Sequence, residues 1–207
     1  MGDIKDPVQV TIAGYSDTVK SYKAGRSDLS RDEENRKYFL EYLKGKKILD
    51  IGCAHGRDVA EFCKNGMEVT GIDLTPEFVI MAKESCPNAT IQLMDMRDLK
   101  FGDKTFDGIW ACASFLHIPK KETKKTLKGF HRVLKTGGLL FIAVIEGTGE
   151  GYDRRAKYNN AERFFSYRQK DGLEKKLRDN GFSIQKNFLN NPSGSGSTWV
   201  NIFAIAK

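Results

Sequence analysis

Apolar runs and amphipathic stretches alternate along the chain from Ile48 onward. The stretches between the apolar runs have helical spacing, and the runs themselves predict five strands, at 47–51, 68–72, 89–93, 106–110 and 139–144. Strands that alternate with helices predict an α/β fold with a largely parallel sheet and helices on both faces. The run at 139–144 is apolar at every position, which is typical of a strand covered on both faces.

The last part of the chain predicts a different connection. A helical pattern over 172–180 is followed by strand patterns over 182–188 and 199–206. The linker 189–198 is polar and has no helical pattern, so no crossover helix joins these two strands and they must run antiparallel. We therefore expect a Rossmann-like, seven-stranded, mostly parallel sheet with one antiparallel strand near the C-terminus.

The residues before the first strand predict a helical lid. We divide the chain into a lid segment, 1–45, and a core, 46–207. Ser30-Arg31-Asp32-Glu33 has the spacing of a capping box and predicts the start of a helix. Tyr15 and Tyr22 are seven residues apart, which places them on one face of two helical turns. We expect this segment to fold over a ligand cleft.

A glycine turn and an acid at the end of a strand form the most informative motif. The turn Gly52-Cys53-Ala54-His55-Gly56 follows the first strand, and Asp73 ends the second strand, 21 residues after Gly52. In a strand-helix-strand unit this order brings the turn and the acid to one ligand. The motif therefore predicts that the protein binds an adenine nucleoside or nucleotide and that Asp73 holds the ribose of this ligand.

These residues resemble the class I S-adenosylmethionine-dependent methyltransferases. The resemblance covers about 160 residues, 48–206, and extends more weakly into the N-terminal segment. The first motif of that family has three glycines, and Ala54 replaces the middle one; alanine is small but restricts φ. Later motifs and the glycine pair before strand five are matched at 71–75, 94–97, 106–117 and 137–141. The resemblance implies S-adenosylmethionine as the cofactor.

The resemblance also implies roles for individual residues. Asp73 would accept hydrogen bonds from both ribose hydroxyls, as a carboxylate can. Asp50 would orient the glycine turn and the amino group of the donor, Asp95 would accept from the adenine amino group, and Tyr22 would lie near the donor carboxylate. A turn cap, a surface acid and simple lid packing are the respective alternatives for these last three. The predicted cofactor-binding set also includes Gly52, Cys53, Ala54, Leu74, Met96, Arg97, Ala111 and Cys112.

His117 and Glu146 are the candidate catalytic residues. His117 follows strand four, and an ordinary histidine pKa of about 6.5 suits a general base, although packing would explain it equally well. Glu146 ends strand five and is the best candidate for contact with the acceptor. The glycine-rich insert 146–155 either contacts the acceptor or is a solvated loop. A base is needed only if the acceptor loses a proton, because the sulfonium methyl group is already electrophilic.

Composition limits the other function classes. The 207 residues, 40% of them hydrophobic, suit one α/β domain with an appendage. No apolar run reaches membrane-spanning length and no signal peptide is recognisable, so we expect a cytoplasmic protein without a membrane partner. The four cysteines and three histidines have no metal-ligand spacing, which predicts reduced thiols and no metal site.

The net charge of +7 raises the question of nucleic acid. Five lysines crowd the stretch 120–128, but no known nucleic-acid module surrounds them. Residues 111–114 read Ala-Cys-Ala-Ser, so the Asn-Pro-Pro-Tyr-like motif of amino-methylating enzymes is absent there. We therefore expect methyl transfer to a small molecule. The alternatives are an RNA methyltransferase whose lysine-rich helix binds phosphates and a non-catalytic S-adenosylmethionine-binding protein; the sequence makes no prediction of the oligomeric state.

Overall fold

The fold is described from a computed structural model that covers residues 6–19, 30–154, 160–192 and 196–207. The helices in these ranges are α1 (Pro7–Ser16), α2 (Glu33–Tyr42), α3 (Arg57–Lys64), α4 (Pro76–Ser85), α5 (Thr123–Val133) and α6 (Lys170–Arg178). The strands are β1 (Lys47–Ile51), β2 (Glu68–Asp73), β3 (Thr90–Leu93), β4 (Phe106–Cys112), β5 (Leu134–Ile145), β6 (Glu150–Arg154), β7 (Glu162–Ser166), β8 (Phe182–Asn190) and β9 (Trp199–Ala206). No helix within these ranges is long and apolar enough to cross a membrane.

Seven of the strands form one sheet in the order β3-β2-β1-β4-β5-β9-β8. Strands β1 to β5 pair in parallel, and β9 runs antiparallel to both β5 and β8. The predicted seven-stranded, mostly parallel, Rossmann-like sheet with one antiparallel strand near the C-terminus is confirmed. In the sheet, β2 and β3 lie on one side of β1, whereas β4 and β5 lie on its other side. Because crossovers between parallel strands are right-handed, α3 and α4 lie on one face and α5 on the other.

Strand β5 begins earlier than the predicted stretch 139–144. Leu134 already pairs with Phe106, and the register then shifts so that Leu139 pairs with Gly108. Gly137 lies inside this irregularity with φ at +80°, a left-handed conformation that favours glycine. Beyond it, every residue from Leu139 to Ile145 is buried, so the centre of the sheet is covered on both faces.

Part of the insert after β5 is a hairpin rather than a loop. Strands β6 and β7 form a separate two-stranded antiparallel sheet. Helix α1 packs against β7: the Phe164 N–H donates to Thr11 Oγ1 at 3.0 Å, and a Cβ on Gly14 would overlap the Glu162 carbonyl oxygen. This packing holds α1 near the carboxyl ends of the parallel strands.

An aromatic cluster and a buried ion network lie beneath the glycine turn. Trp110 stacks on Phe141 with ring centroids 4.2 Å apart. The Asp58 carboxylate accepts from Arg36 Nη1 at 2.8 Å, from Arg57 Nη2 at 2.9 Å and from Trp110 Nε1 at 3.3 Å. These contacts join α2, α3 and β4 and so fix the elements that carry the turn.

Candidate functional site

The glycine turn after β1 is held against the end of β2. The backbone N–H groups of Gly52 and Cys53 donate to the Ile72 carbonyl at 2.8 and 3.0 Å. Gly52 has φ at +73°, and a Cβ there would collide with the Ser114 side chain. Ala54 has φ at +49°, so the backbone keeps a glycine-like conformation where the related family has glycine. This strained residue aims its N–H at Asp73.

Asp73 is fixed by backbone donors on both carboxylate oxygens. Oδ1 accepts from the Thr75 N–H at 2.8 Å and Oδ2 from the Ala54 N–H at 2.9 Å. Burial raises the pKa of Asp73, and these hydrogen bonds act in the opposite direction. The Thr75 side chain and the Leu74 N–H add to the hydrogen bonds on this carboxylate. Asp73 also lines a cavity, where carboxylate oxygens can accept hydroxyl groups such as those of a ribose.

Asp50 is a buried carboxyl group, and one of its oxygens lacks a donor among the described residues. Its side chain lies at the end of β1, the residue is 3% exposed, and Oδ2 has no hydrogen-bond partner within the described ranges. Burial raises the pKa of Asp50 well above its usual value, and the nearby Asp58 adds to the effect. An isolated buried carboxylate is costly, so this orphaned oxygen fits a ligand that brings its own positive donor.

Asp95 and Arg97 form an ion pair that extends to the first helix. Arg97 Nη2 lies 2.7 Å from Asp95 Oδ2 and 2.9 Å from Asp6 Oδ2. Asp6 also caps α1 by accepting from the Val8 N–H. Arg97, expected in the cofactor-binding set, therefore does not line the cleft, because its guanidinium is turned to these two acids. It joins the loop after β3 to the start of α1.

His117 and Tyr15 form a hydrogen-bonded pair beside the turn. His117 Nδ1 lies 2.6 Å from the Phe164 carbonyl oxygen, which can only accept, so Nδ1 carries the proton. Nε2 then accepts from the Tyr15 hydroxyl at 2.9 Å in the neutral ring. His117 is 8% exposed, and the Tyr15 hydroxyl is in contact with its Nε2.

These groups surround two adjoining cavities that share the glycine turn. The larger one, including its open mouth, has a volume of about 690 Å³, which is within the range of small-molecule sites. The predicted residues that line it are Gly52, Ala54, Asp73, Leu74, Asp95, Met96, Cys112 and His117. The second cavity adds Asp50 and Cys53. We call these two cavities together the cofactor cleft.

Two further predicted site residues lie outside the cleft lining, and a third falls outside the described residues. Ala111 does not line the cleft, because successive strand residues point to opposite faces and its neighbour Cys112 takes the cleft side. Glu146 is also outside the lining, since β5 ends at Ile145 and the Glu146 N–H donates to the Thr198 carbonyl. Tyr22 lies outside the described residues.

Sequence reasoning expected the N-terminal segment to cover the cleft but did not identify the residues of α1 that line it, nor Ser114 in the turn after β4. Val8, Thr11, Ile12 and Tyr15 of α1 line the cleft. Ser114 lines it too, and its Oγ is buried with no partner in the described part of the chain. The only available signal was the helical repeat of the N-terminal segment, which contains Tyr15 but does not identify its partner.

The cysteine and metal predictions can be compared with the described residues. All four cysteines are unbridged. Burial raises the pKa of the Cys53 thiol well above its usual value, which keeps it protonated and unreactive. In the described ranges, no cluster of His, Cys, Asp and Glu suits a metal ion.

Comparison with known proteins finds methyltransferases. Residues 48–138 match a family model described as a methyltransferase domain. An O-methyltransferase of Penicillium expansum is 31% identical over 153 residues, 70% of this chain and 55% of that protein. A ubiquinone biosynthesis O-methyltransferase of Coxiella burnetii is 30% identical over 114 residues, 53% of this chain and 48% of that protein. The chain thus spans about half the length of these relatives.

Solved structures share the fold at lower sequence identity. A 1,6-didemethyltoxoflavin-N1-methyltransferase of Burkholderia thailandensis, with bound 1,6-didemethyltoxoflavin and S-adenosylhomocysteine, has a TM-score of 0.76. It is 22% identical and covers 100% of this chain and 93% of its own. An S-adenosylmethionine-dependent methyltransferase of Methanosarcina mazei has a TM-score of 0.74 at 22% identity, over 82% of this chain and 96% of its own.

Proposed function

Because the chain belongs to the class I S-adenosylmethionine-dependent methyltransferases, we propose that it transfers a methyl group from that cofactor to a small-molecule acceptor. The observation that carries the proposal is the pairing of two strand-end carboxylates on one cleft. Asp73 accepts from backbone N–H groups that fix its carboxylate in the cleft wall, where it can meet hydroxyl groups, and Asp50 has a buried oxygen with no donor among the described residues. A ribose and an ammonium group on one ligand fit this pair.

The other residues of the cleft would hold the rest of the cofactor. Asp95 and Met96 line the end next to β3, where an adenine would lie. Because Gly52 has no side chain, the glycine turn packs closely against Ser114, and both residues line the cleft. When bound, S-adenosylmethionine supplies an electrophilic methyl group, so the protein has to bind, orient and exclude water. Orientation of this kind contributes roughly 7–11 kcal/mol in favourable cases.

We assign residues 1–45 the role of a lid, on the strength of α1. Its Thr11 and Tyr15 face the turn after β4, which contributes His117 and Ile118 to the same wall. The acceptor would bind between these two elements. The relatives named as O-methyltransferases and the structural neighbour with bound 1,6-didemethyltoxoflavin support a small acceptor of this kind.

His117 would receive the acceptor's proton through Tyr15. An acceptor hydroxyl would transfer its proton to Tyr15 Oη as the Tyr15 proton passes to His117 Nε2. The imidazolium that forms keeps its Nδ1–H on the Phe164 carbonyl, so the ring does not have to turn. An acceptor without an acidic proton would use the pair for positioning only. Glu146 has no role in this proposal.

Calorimetric titration with S-adenosylmethionine and S-adenosylhomocysteine tests the cofactor site. We expect micromolar binding, lost in Asp73→Ala and retained in the control Asp98→Ala, whose side chain is 61% exposed. A screen with radiolabelled methyl donor, using small molecules and RNA at two salt concentrations, then tests the acceptor. Transfer to RNA that falls steeply with salt would favour the RNA alternative. Cofactor binding without transfer to any acceptor would favour the non-catalytic one, and absence of binding would refute the proposal.

A further inference from the structure

A separate, positively charged cavity lies beside the cofactor cleft and shares no lining residue with it. It is enclosed by the start of α5, the residues after β5 and β7, and the start of α6. Three cationic side chains line it, those of Lys120, Arg168 and Lys176, and the described residues that line it include no acid. Nothing in the proposed methyl transfer uses this cavity.

Arg168 is the buried cation of this cavity. The residue is 7% exposed, and its guanidinium lies 4.9 Å above the Phe115 ring. Nη2 donates to the Ile118 carbonyl at 2.9 Å, whereas Nε has no acceptor. No carboxylate of the described chain is within ion-pair distance. Buried arginines are ordinarily paired with an anion, so this one lacks its usual partner.

The nearby acids are engaged elsewhere. Glu150 Oε2 accepts from the Lys120 backbone N–H at 2.7 Å and from Ser166 Oγ at 3.2 Å. Glu174 is paired with Arg178 at 2.7 Å. Burial lowers the pKa of Arg168 to about 10, with Glu150 acting in the opposite direction, so the guanidinium is still charged at neutral pH.

Further donors surround the same space. Thr123 is 2% exposed, and its Oγ1 is buried with no partner among the described residues. Helix α6 begins at the cavity wall, and its N-cap residue Gln169 makes no side-chain capping bond, which leaves first-turn N–H groups free for an anion. The ammonium groups of Lys120 and Lys176 are exposed at the mouth and form no ion pair in the described part of the structure.

We propose that this cavity binds a small oxyanion with phosphate chemistry, held by Arg168, Lys120, Lys176 and the N-terminus of α6. A planar guanidinium, two ammonium groups and helix N–H groups suit a tetrahedral anion with several acceptor oxygens. The anion is either free phosphate or the phosphate group of a larger metabolite. The proposal is independent of the cofactor assignment, because the two sites have no lining residue in common.

Calorimetric titration of the full chain with inorganic phosphate, at constant ionic strength balanced with chloride, tests the site. We expect one saturable site whose affinity is unchanged by saturating S-adenosylhomocysteine. The double variant Lys120→Ala/Lys176→Ala should lower the affinity roughly tenfold or more, through the loss of two charged donors. The control Lys124→Ala/Lys128→Ala removes the same charge from the exposed face of α5 outside the cavity and should have no effect.

Arg168→Lys provides a second test, since it keeps the charge but loses the planar fork. This variant should also weaken phosphate binding, and thermal melting checks that it is folded. If it is not folded, the comparison of the two lysine double variants tests the proposal. Phenyl phosphate that binds tighter than inorganic phosphate would indicate a phosphorylated metabolite, and the reverse order would indicate the free ion. No saturable binding, equal losses in both double variants, or competition by S-adenosylhomocysteine would overturn the proposal.

Discussion

Replacing Asp50 with asparagine should make the cofactor-free protein more stable and the cofactor bind more weakly. The substitution keeps the shape of the side chain and removes a charge that has no donor at Oδ2. In the cofactor-free protein that charge destabilises the folded state, because burial disfavours an unpaired charge. In the complex the same charge would pair with the ammonium group of the cofactor. The two effects therefore have opposite signs.

The magnitudes follow from the same environment. Asparagine keeps a buried polar group at this position, so the gain comes from removing the charge. Each pKa unit by which burial disfavours the charged form corresponds to about 1.4 kcal/mol, so Asp50→Asn should raise the free energy of unfolding at neutral pH by about 1 kcal/mol or more. For a chain of 150–250 residues, each kcal/mol raises the melting temperature by roughly 2–4 °C. A hydrogen bond to a charged group contributes about 1.5–3 kcal/mol, so the cofactor dissociation constant should rise roughly 10- to 150-fold.

The pH dependence gives a further check on the reasoning. The pKa of Asp50 in the folded protein is raised by burial. Wild type is therefore most stable, relative to Asp50→Asn, below the unfolded-state pKa, and it loses that stability as pH rises through the folded-state value. The gain in melting temperature of the variant should be largest at neutral pH and shrink on acidification. Cofactor affinity should fall on acidification in wild type and stay flatter in the variant.

Differential scanning fluorimetry and calorimetric titration measure the two effects on one protein preparation. Asp98→Asn is the matched control, because it makes the same chemical change at an exposed acid paired with Lys100. It should change neither quantity appreciably. A variant at Asp50 that melts at a lower temperature than wild type, or that binds the cofactor as tightly, would refute the idea that this carboxylate is held unpaired for a ligand.

Three other substitutions test the surroundings of the cleft. Asp58→Asn should destabilise the protein by about 3–5 kcal/mol in urea unfolding, because it removes the buried negative charge that pairs with Arg36 and Arg57; a loss below 1 kcal/mol would contradict this. Arg97→Gln should speed amide exchange in α1 and weaken cofactor binding severalfold, since it releases Asp6, and unchanged exchange would count against the link. Gly14→Ala should cost about 1–3 kcal/mol, because its Cβ overlaps a carbonyl of β7, and a neutral result would mean that α1 does not pack there.

The sheet, its family and the two strand-end acids could be predicted because their signals are local. Asp50 and Asp73 stand directly after apolar runs, and the carboxyl ends of parallel strands meet at one edge of a sheet. The antiparallel β9 followed from a linker with no helix. Ala111 stands one residue before Cys112, which lines the cleft. A motif match does not say which face a side chain takes, whereas the alternation along β4 does.

The contacts that sequence reasoning missed join distant parts of the chain. Tyr15 and His117 are 102 residues apart, and Asp6 and Arg97 are 91 apart. No local pattern identifies such partners, since they depend on how α1 packs against β7. The hairpin β6–β7 was missed for a related reason. Its many glycines and charges are typical of a loop. The pairing of its two strands is stabilised by α1, which packs against β7.

The packing of α1 on β7 has a consequence for engineering acceptor choice. The first helix and the hairpin are far apart in the sequence, yet their shared contacts mean that a change in one has to be matched by the other. In a chimaera that carries only a foreign N-terminal helix, any side chain at the position of Gly14 would clash with the Glu162 carbonyl of the original hairpin. Exchanging the helix together with β6 and β7 would preserve the contacts between α1 and β7. A change of acceptor should therefore be sought by exchanging both segments at once.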